Sequence, residues 1–292
     1  MPNSGRRIGA RTTLLTAIAM LAFAANSLLC RLALGSRLID AASFASVRMI
    51  SGAVALGLIM LVRRPLRIVS TDWRSVLALF AYMVLFSFAY LSLGAGTGAL
   101  ILFGAVQITM FGFALRAGER FSPLSWVGLS AAVLGLIFLV SPGLTAPDPL
   151  GAVLMAIAGI AWGLYSLLGR GVADPVAATA GNFIYSVPLV AAVSLLSVHD
   201  FSVSLGGLVL AIASGAVASG CGYVIWYAAL PGLTAARAAT VQLSVPVIAA
   251  LGGVALISEQ VTLRLVFASA VTLGGVALVF TQRATKPPLR SL

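Results

Sequence analysis

Phe23-Ala24-Ala25-Asn26-Ser27-Leu28-Leu29-Cys30-Arg31 has a counterpart 139 residues later in Trp162-Gly163-Leu164-Tyr165-Ser166-Leu167-Leu168-Gly169-Arg170. Both hold Ser-Leu-Leu-x-Arg, with an aromatic residue four positions before the serine. Further matches follow in the same order. Tyr90 and Thr97 pair with Tyr227 and Thr234, and Glu119-x-x-Ser122 pairs with Glu259-x-x-Thr262. Gly128, Ala132 and Gly135 pair with Ala268, Thr272 and Gly275. A single match of this kind is weak, but four in register at separations of 137 to 140 residues mark an internal duplication.

Each copy holds five apolar stretches of membrane-spanning length, about 20 residues at 1.5 Å rise. The ten lie at 12–34, 41–62, 73–93, 97–117, 123–141, 150–170, 175–197, 205–229, 234–256 and 263–282. The expected fold is an all-α integral membrane protein of ten transmembrane helices arranged as two inverted five-helix repeats. The first repeat occupies 12–143 and the second 149–282, with tails at 1–11 and 283–292. Because five is odd, the second copy enters the bilayer from the opposite side, an arrangement typical of secondary transporters. Turn chemistry marks the breaks: Arg63-Arg64-Pro65, Gly94-Ala95-Gly96, Ser122-Pro123, Ser141-Pro142-Gly143, Asp174-Pro175 and Pro231-Gly232.

Composition agrees. Hydrophobic residues are 61% of the 292, with 30 glycines, and only 18 basic and seven acidic side chains carry charge. That is too few for the surface of a soluble fold. The net charge of +11 is read as topology rather than as attraction to nucleic acid. Fourteen of the 18 basic residues fall in alternate loops and tails on one side, from Arg6 to Arg290, so both termini are expected to be cytoplasmic. The other side's loops hold Arg37 and Arg264. Arg6, Arg7 and Arg11 before an apolar run ending in Ala22-Phe23-Ala24 resemble a signal peptide. The match to the second copy argues that this segment is a retained span. Cys30 and Cys221 lie in different spans, with no sign of a disulfide.

Further residues sharpen the assignment. Gly118-Glu119 and Ser258-Glu259 close spans four and nine. Gly222-Tyr223-Val224-Ile225-Trp226-Tyr227-Ala228-Ala229-Leu230 and Gln242-Leu243-Ser244-Val245-Pro246-Val247 complete the pattern. With the two five-span copies, these make nearly the whole chain resemble the EamA-type proteins of the drug/metabolite transporter superfamily. Within it the chain is most similar to the YddG-type aromatic amino acid exporters. One departure is visible: the family often has a proline in span four like Pro246 in span nine, where this chain has Val106-Gln107. The resemblance implies export of amino acids or other small metabolites across the inner membrane of a bacterium.

Polar and aromatic residues within spans are the candidate contacts for a small-molecule substrate, because polar groups in hydrocarbon usually face an interior or a cavity. Tyr82, Phe86 and Tyr90 share one face of span three, Tyr223 and Tyr227 one face of span eight, and Trp162 and Tyr165 one face of span six. Asn26, Gln107, Asn182 and Gln242 add amides. Together they suit a cavity offering π-faces to an apolar body and amides to a polar end. Helix packing or interfacial belts would account for the same residues, above all Tyr90 and Tyr227 near span ends. As repeat partners, these two are expected at opposite ends of a pathway, as outer and inner gates. Arg48, about eight residues and ~12 Å into span two, is either a carboxylate anchor or a side chain that snorkels to the periplasmic interface or bonds backbone carbonyls.

All seven acids sit at span ends or in loops, which argues against coupling through a midplane carboxylate. Glu119 and Glu259 lie at helix C-terminal ends, where the dipole disfavours negative charge. Their expected role is a clamp, compensated by Arg116, Arg120 or the start of the next helix. The small faces of spans five and ten suit close packing, either within one chain or in a homodimer. No metal cluster, nucleophile with base, cofactor motif or Walker sequence supports an enzyme or an ATP-driven pump, and His199 is a lone loop residue. No cofactor and no metal are expected, and no nucleic-acid partner. A broad-specificity facilitator or a channel-like pore remains the alternative, although no selectivity filter is recognisable.

Overall fold

The computed structural model describes residues 9–63, 72–118, 121–143, 145–169, 172–233 and 241–281. Helix makes up 84% of it, with no strand among the described residues. The first half runs α1 (Ala10–Gly35), α2 (Ala41–Arg63), α3 (Trp73–Ala89), α4 (Ala95–Arg116) and α5 (Pro123–Val140). The second runs α6 (Pro149–Leu168), α7 (Pro175–Leu196), α8 (Leu205–Ile212), a π-helical segment (Ala213–Cys221), α9 (Gly222–Ala229), α10 (Ser244–Ile257) and α11 (Leu263–Thr281). Seven helices are long and apolar enough to cross a bilayer, taking Leu205–Gly232 as one continuous run. The apolar α3, α10 and α11 are shorter.

The helix starts follow from local chemistry. Asp72, Ser122, Asp148, Asp174 and Ser204 each accept a hydrogen bond from a first-turn backbone N–H, at 2.9, 3.2, 2.7, 3.1 and 3.1 Å. Pro123, Pro149 and Pro175 then open α5, α6 and α7, where a missing N–H costs nothing. At 234–240 the expected start of span nine lies outside the described residues. Pro246 sits in the first turn of α10, whereas α4 runs unbroken through Val106-Gln107.

Every helix of the first half packs on helices of the second. α2 packs on α7, α4 on α10 and α5 on α11. The contact of α3 with α6 is matched by that of α1 with α8, the π segment and α9. That of α4 with α6 is matched by α1 with α10. The small faces of α5 and α11 meet each other within the chain. A Cβ added to Gly128 would lie 2.5 Å from the Gly275 carbonyl oxygen, and Thr272 Oγ1 donates to the Ala132 carbonyl at 3.4 Å. Loops at one end are tied together. Asp40 accepts from Ser43 N and Ser202 N, Ser92 donates to Asp148, and Arg264 donates to the Ser141 carbonyl. Ile39 and Val203 form a single β-bridge there.

Candidate functional site

The centre of the bundle is aromatic. Trp162 of α6 lies 4.9 Å from Tyr82, 5.2 Å from Tyr223, 5.5 Å from Tyr165 and 6.4 Å from Phe23, measured between ring centroids. Phe86 continues the stack on α3, 5.4 Å from Tyr82 and 4.8 Å from Tyr90. The i, i+4, i+8 spacing of Tyr82, Phe86 and Tyr90 therefore builds one ring ladder, as helical geometry requires. Phe23, Tyr82, Phe86, Trp162 and Tyr223, with Asn26, Ser27, Leu102 and Phe103, enclose a space of about 10 Å³. That is room for about one water. α1, α3 and α4 come from one half and α6 and α9 from the other, so the space lies between the halves.

A second space of about 60 Å³ opens beyond the Trp162–Tyr165 pair, at the end formed by the starts of α3 and α7. Tyr165, Thr179, Asn182, Tyr227, Asp72 and Ser75 are among its lining residues. The Tyr165 hydroxyl lies 3.4 Å from both Thr179 Oγ1 and Asn182 Nδ2. A larger groove of about 400 Å³ between α2 and the π segment offers only Ser51 as a polar side chain and so has nothing to orient a polar solute.

A polar cluster backs the aromatic wall. Asn26 Oδ1 accepts from Ser214 Oγ at 2.8 Å and from Ser219 Oγ at 3.3 Å. The π-helix makes this convergence feasible. Residues five apart diverge by roughly 140° on an α-helix of 3.6 residues per turn, but align more closely on the wider π turn. Small residues permit the wide turn, and Gly215 lets α2 approach so closely that a Cβ there would meet the Arg48 carbonyl. The guanidinium of Arg48, fully buried, donates from Nη2 to the Tyr82 hydroxyl at 3.1 Å and reaches Ser219 at 3.4 Å. It stands 4.7 Å from the Phe86 ring centre and 5.4 Å from that of Tyr82. Arg48 does not snorkel.

At the end opposite the 60 Å³ space, Glu259 closes the bundle. Its Oε1 accepts from Arg31 Nε at 2.9 Å and its Oε2 from the Ala95 backbone N–H at 2.8 Å, at the start of α4. Arg31 Nη1 also donates to the Tyr90 carbonyl at 3.3 Å. Ser258, in the left-handed region at φ 57°, turns the chain so that Glu259 can reach back. Gly118 holds the corresponding conformation at φ 81°. Compensation for Glu259 therefore comes from α1 and α4 rather than from Arg116, Arg120 or the following helix. Glu119 and Arg120 lie outside the described residues.

Of the sequence candidates, Asn26, Tyr82, Phe86, Trp162 and Tyr223 line the central space, and Tyr165, Asn182 and Tyr227 line the second. Tyr90 is fully buried, with its hydroxyl donating to the Ala95 carbonyl at 3.3 Å, so it is no interfacial belt residue. Gln107 is buried one turn beyond Phe103, and neither amide atom is paired among the described residues. Gln242 is half-buried and lines neither space. Phe23, Ser27, Leu102, Phe103 and Ser219 were not among the candidates. The repeat marks Phe23 as the counterpart of Trp162, so that residue carries a sequence signal.

Comparison with known proteins agrees with this architecture. Residues 149–281 match the EamA-like transporter family. The chain is 51% identical over 275 residues to the uncharacterized protein PA1977 of Pseudomonas aeruginosa, covering 94% of this chain and 96% of that one. It is 27% identical over 230 residues to an uncharacterized transporter of Archaeoglobus fulgidus, covering 74% and 81%. An 83-residue stretch is 31% identical to the inner membrane transporter YedA of Escherichia coli, or 28% of this chain and 27% of YedA. A crystallised protein shares the fold, with a TM-score of 0.65 at 19% identity over 92% of this chain and 96% of its own. The chain belongs to the EamA-like transporter family of the drug/metabolite transporter superfamily.

Proposed function

We propose that this multi-pass membrane transporter is a ten-span secondary transporter that exports amino acids with aromatic or apolar side chains, or related small metabolites, across the bacterial inner membrane. It does so by alternating access of two inverted five-helix repeats, with both termini cytoplasmic. The observation that carries the reading is the aromatic space shared by both halves, with a bonded end on one side and a vestibule on the other. The paired helix contacts, and the left-handed turns at Gly118 and Ser258, support an inverted duplication. The sequence places Arg31, Arg37 and Arg264 at the Glu259 end, against fourteen basic residues in the loops and tails assigned to the other side, which supports the orientation.

The space holds too little volume for a metabolite, so in this reading the rings close on one another in the empty protein and part around the substrate. Tyr90 stands at the bonded end and Tyr227 in the vestibule, consistent with outer and inner gates. With every described acid at a helix end, the transport step uses no midplane carboxylate, which favours facilitated export.

The test is counterflow in proteoliposomes with a panel of labelled amino acids, with and without a pH gradient. Saturable exchange is expected. Trp162→Ala and Tyr223→Ala should each lower it about tenfold, equivalent to ~1.4 kcal/mol of aromatic contact. Ion conductance without saturable exchange would overturn the transport mechanism in favour of a pore.

A further inference from the structure

The charge inventory around Arg48 narrows the substrate class. Arg48 is fully buried near the middle of α2, and it carries the positive charge with no anion beside it among the described residues. The six described acids are all engaged or placed elsewhere. Asp40, Asp72, Asp148 and Asp174 bond first-turn N–H groups, Asp200 sits in a loop 3₁₀ turn, and Glu259 binds Arg31. An ionisable group within an apolar helix bundle is costly and is retained where it serves a site.

The free hydrogen-bonding capacity at Arg48 itself is of the donating kind. Arg48 Nη1 is buried and unpaired, as is the hydroxyl of Tyr223 on the cavity wall. The only other side chains with unpaired buried polar atoms among the described residues are Gln107 and Thr16. The good acceptor nearby, Asn26 Oδ1, is already taken by Ser214 and Ser219. Arg48 presents a planar fork that fits a carboxylate in bidentate fashion, and it lies against Phe86 and Tyr82, two of the rings that wall the central space. Arg48 stands behind those rings rather than on the lining of the closed space, so a carboxylate reaching it as the rings part would neutralise it. An ammonium group carried with it would arrive beside that cation, without an acid to receive it.

Resting on the transport reading above and narrowing it to its related small metabolites, we infer that the preferred substrates are aromatic or apolar monocarboxylates without an ammonium group, with zwitterionic amino acids the poorer substrates. The aryl or alkyl body takes the ring-lined space, and the carboxylate takes Arg48 Nη1 with the Tyr223 hydroxyl donating beside it. The bound anion supplies the counter-charge that the polypeptide lacks.

Three probes of one shape separate the alternatives in proteoliposomes holding the full chain: 3-phenylpropanoate (carboxylate only), phenylalanine (carboxylate and ammonium) and phenethylamine (ammonium only). Saturable counterflow should be about tenfold more sensitive to 3-phenylpropanoate than to phenylalanine, the factor set by one unpaired charge of ~1.4 kcal/mol, with phenethylamine inactive. Arg48→Lys should weaken 3-phenylpropanoate counterflow more than tenfold by removing the fork while keeping the charge. Should that variant fail to fold, quenching of tryptophan fluorescence in the unaltered protein by the three probes gives the same ranking. Equal or better use of phenylalanine or phenethylamine, or an Arg48→Lys variant that transports 3-phenylpropanoate normally, overturns the inference and leaves transport standing. No saturable exchange of these probes or of any amino acid overturns both.

Discussion

Glu259→Gln isolates the charge that seals one end of the bundle. The substitution keeps the shape of the side chain and one acceptor oxygen. It removes the ionic part of the bond to Arg31 at 2.9 Å, and it places an amide NH₂ or a neutral oxygen before the Ala95 N–H at 2.8 Å. Hydrogen bonds to charged groups contribute ~1.5–3 kcal/mol each against ~0.5–1.5 for neutral ones. A carboxylate at a helix start gains a further ~0.3–1 kcal/mol. The two side chains are 24% and 19% exposed, so water screens part of this. The net loss should be about 1–2 kcal/mol, which raises the open fraction of this end roughly 5- to 30-fold. A native reporter lies next to the clamp: Cys30 is fully buried, one residue before Arg31. In a Cys221→Ser background, labelling of Cys30 by a membrane-impermeant maleimide from the Glu259 side should accelerate by that factor, following the population of the opened state. A double-mutant cycle with Arg31→Met should return a coupling energy of about 1 kcal/mol. Labelling that changes by less than twofold would refute the clamp.

Other substitutions probe separate terms. Gly128→Ala should lower the melting temperature of the detergent-purified protein by a loss of roughly 1–3 kcal/mol, because its Cβ would lie 2.5 Å from the Gly275 carbonyl oxygen, a backbone atom that cannot swing aside, and 3.0 Å from Val279 Cγ2. Gly274→Ala is the control: it sits on the facing helix α11 with open space around it, and no loss is expected. Arg48→Met should raise the melting temperature of the empty protein, by about 1–2 kcal/mol, by replacing an uncompensated buried charge with an apolar chain of similar length, while abolishing substrate-dependent stabilisation. A melting temperature below that of the unaltered protein would count against an uncompensated Arg48. Ser258→Gly should relieve the left-handed backbone at φ 57° and stabilise by up to about 1 kcal/mol, measured in the same thermal assay.

Much of the architecture was legible because its signals are local. Ser122-Pro123, Asp148-Pro149 and Asp174-Pro175 carry both a cap and a first-turn proline, and the structure begins helices at each. The facing of Tyr82, Phe86 and Tyr90 followed from helical periodicity alone. The partners of Glu259 were not legible, since Arg31 lies 228 residues away and Ala95 contributes only a backbone group. Proximity along the chain pointed instead to Arg116 and Arg120 for Glu119, and to the start of the following helix for Glu259. The π segment escaped notice for a different reason. Ala213 to Cys221 reads as an ordinary run of small residues, and nothing in a 3.6-residue period shows that Ser214 and Ser219 converge on one amide. Whether the small faces of α5 and α11 meet each other or a second chain also depended on tertiary placement, and here they meet each other.

The two ends of the molecule are unequally bonded. At one end Glu259 binds Arg31 and the start of α4, Asp40 ties the α1–α2 and α7–α8 connections, and Arg264 binds the end of α5. At the other, the ion pair among the described residues is Arg63–Asp174 at 3.6 Å, with Arg63 half exposed, beside the 60 Å³ space. An exposed pair of that length contributes ~0–1 kcal/mol. A transporter that alternates must keep both arrangements within a few kcal/mol of each other. The bonds at the Glu259 end fit that requirement because most are partly exposed: water takes over the freed groups when they part, so each costs about 1 kcal/mol to break rather than the several that a fully buried charge would demand. Arg48, alone among the described charges in being fully buried, stands apart from that exchange. Its unpaired donor makes it the group whose energy changes most when a solute arrives, and so the one best placed to couple binding to the shift between ends.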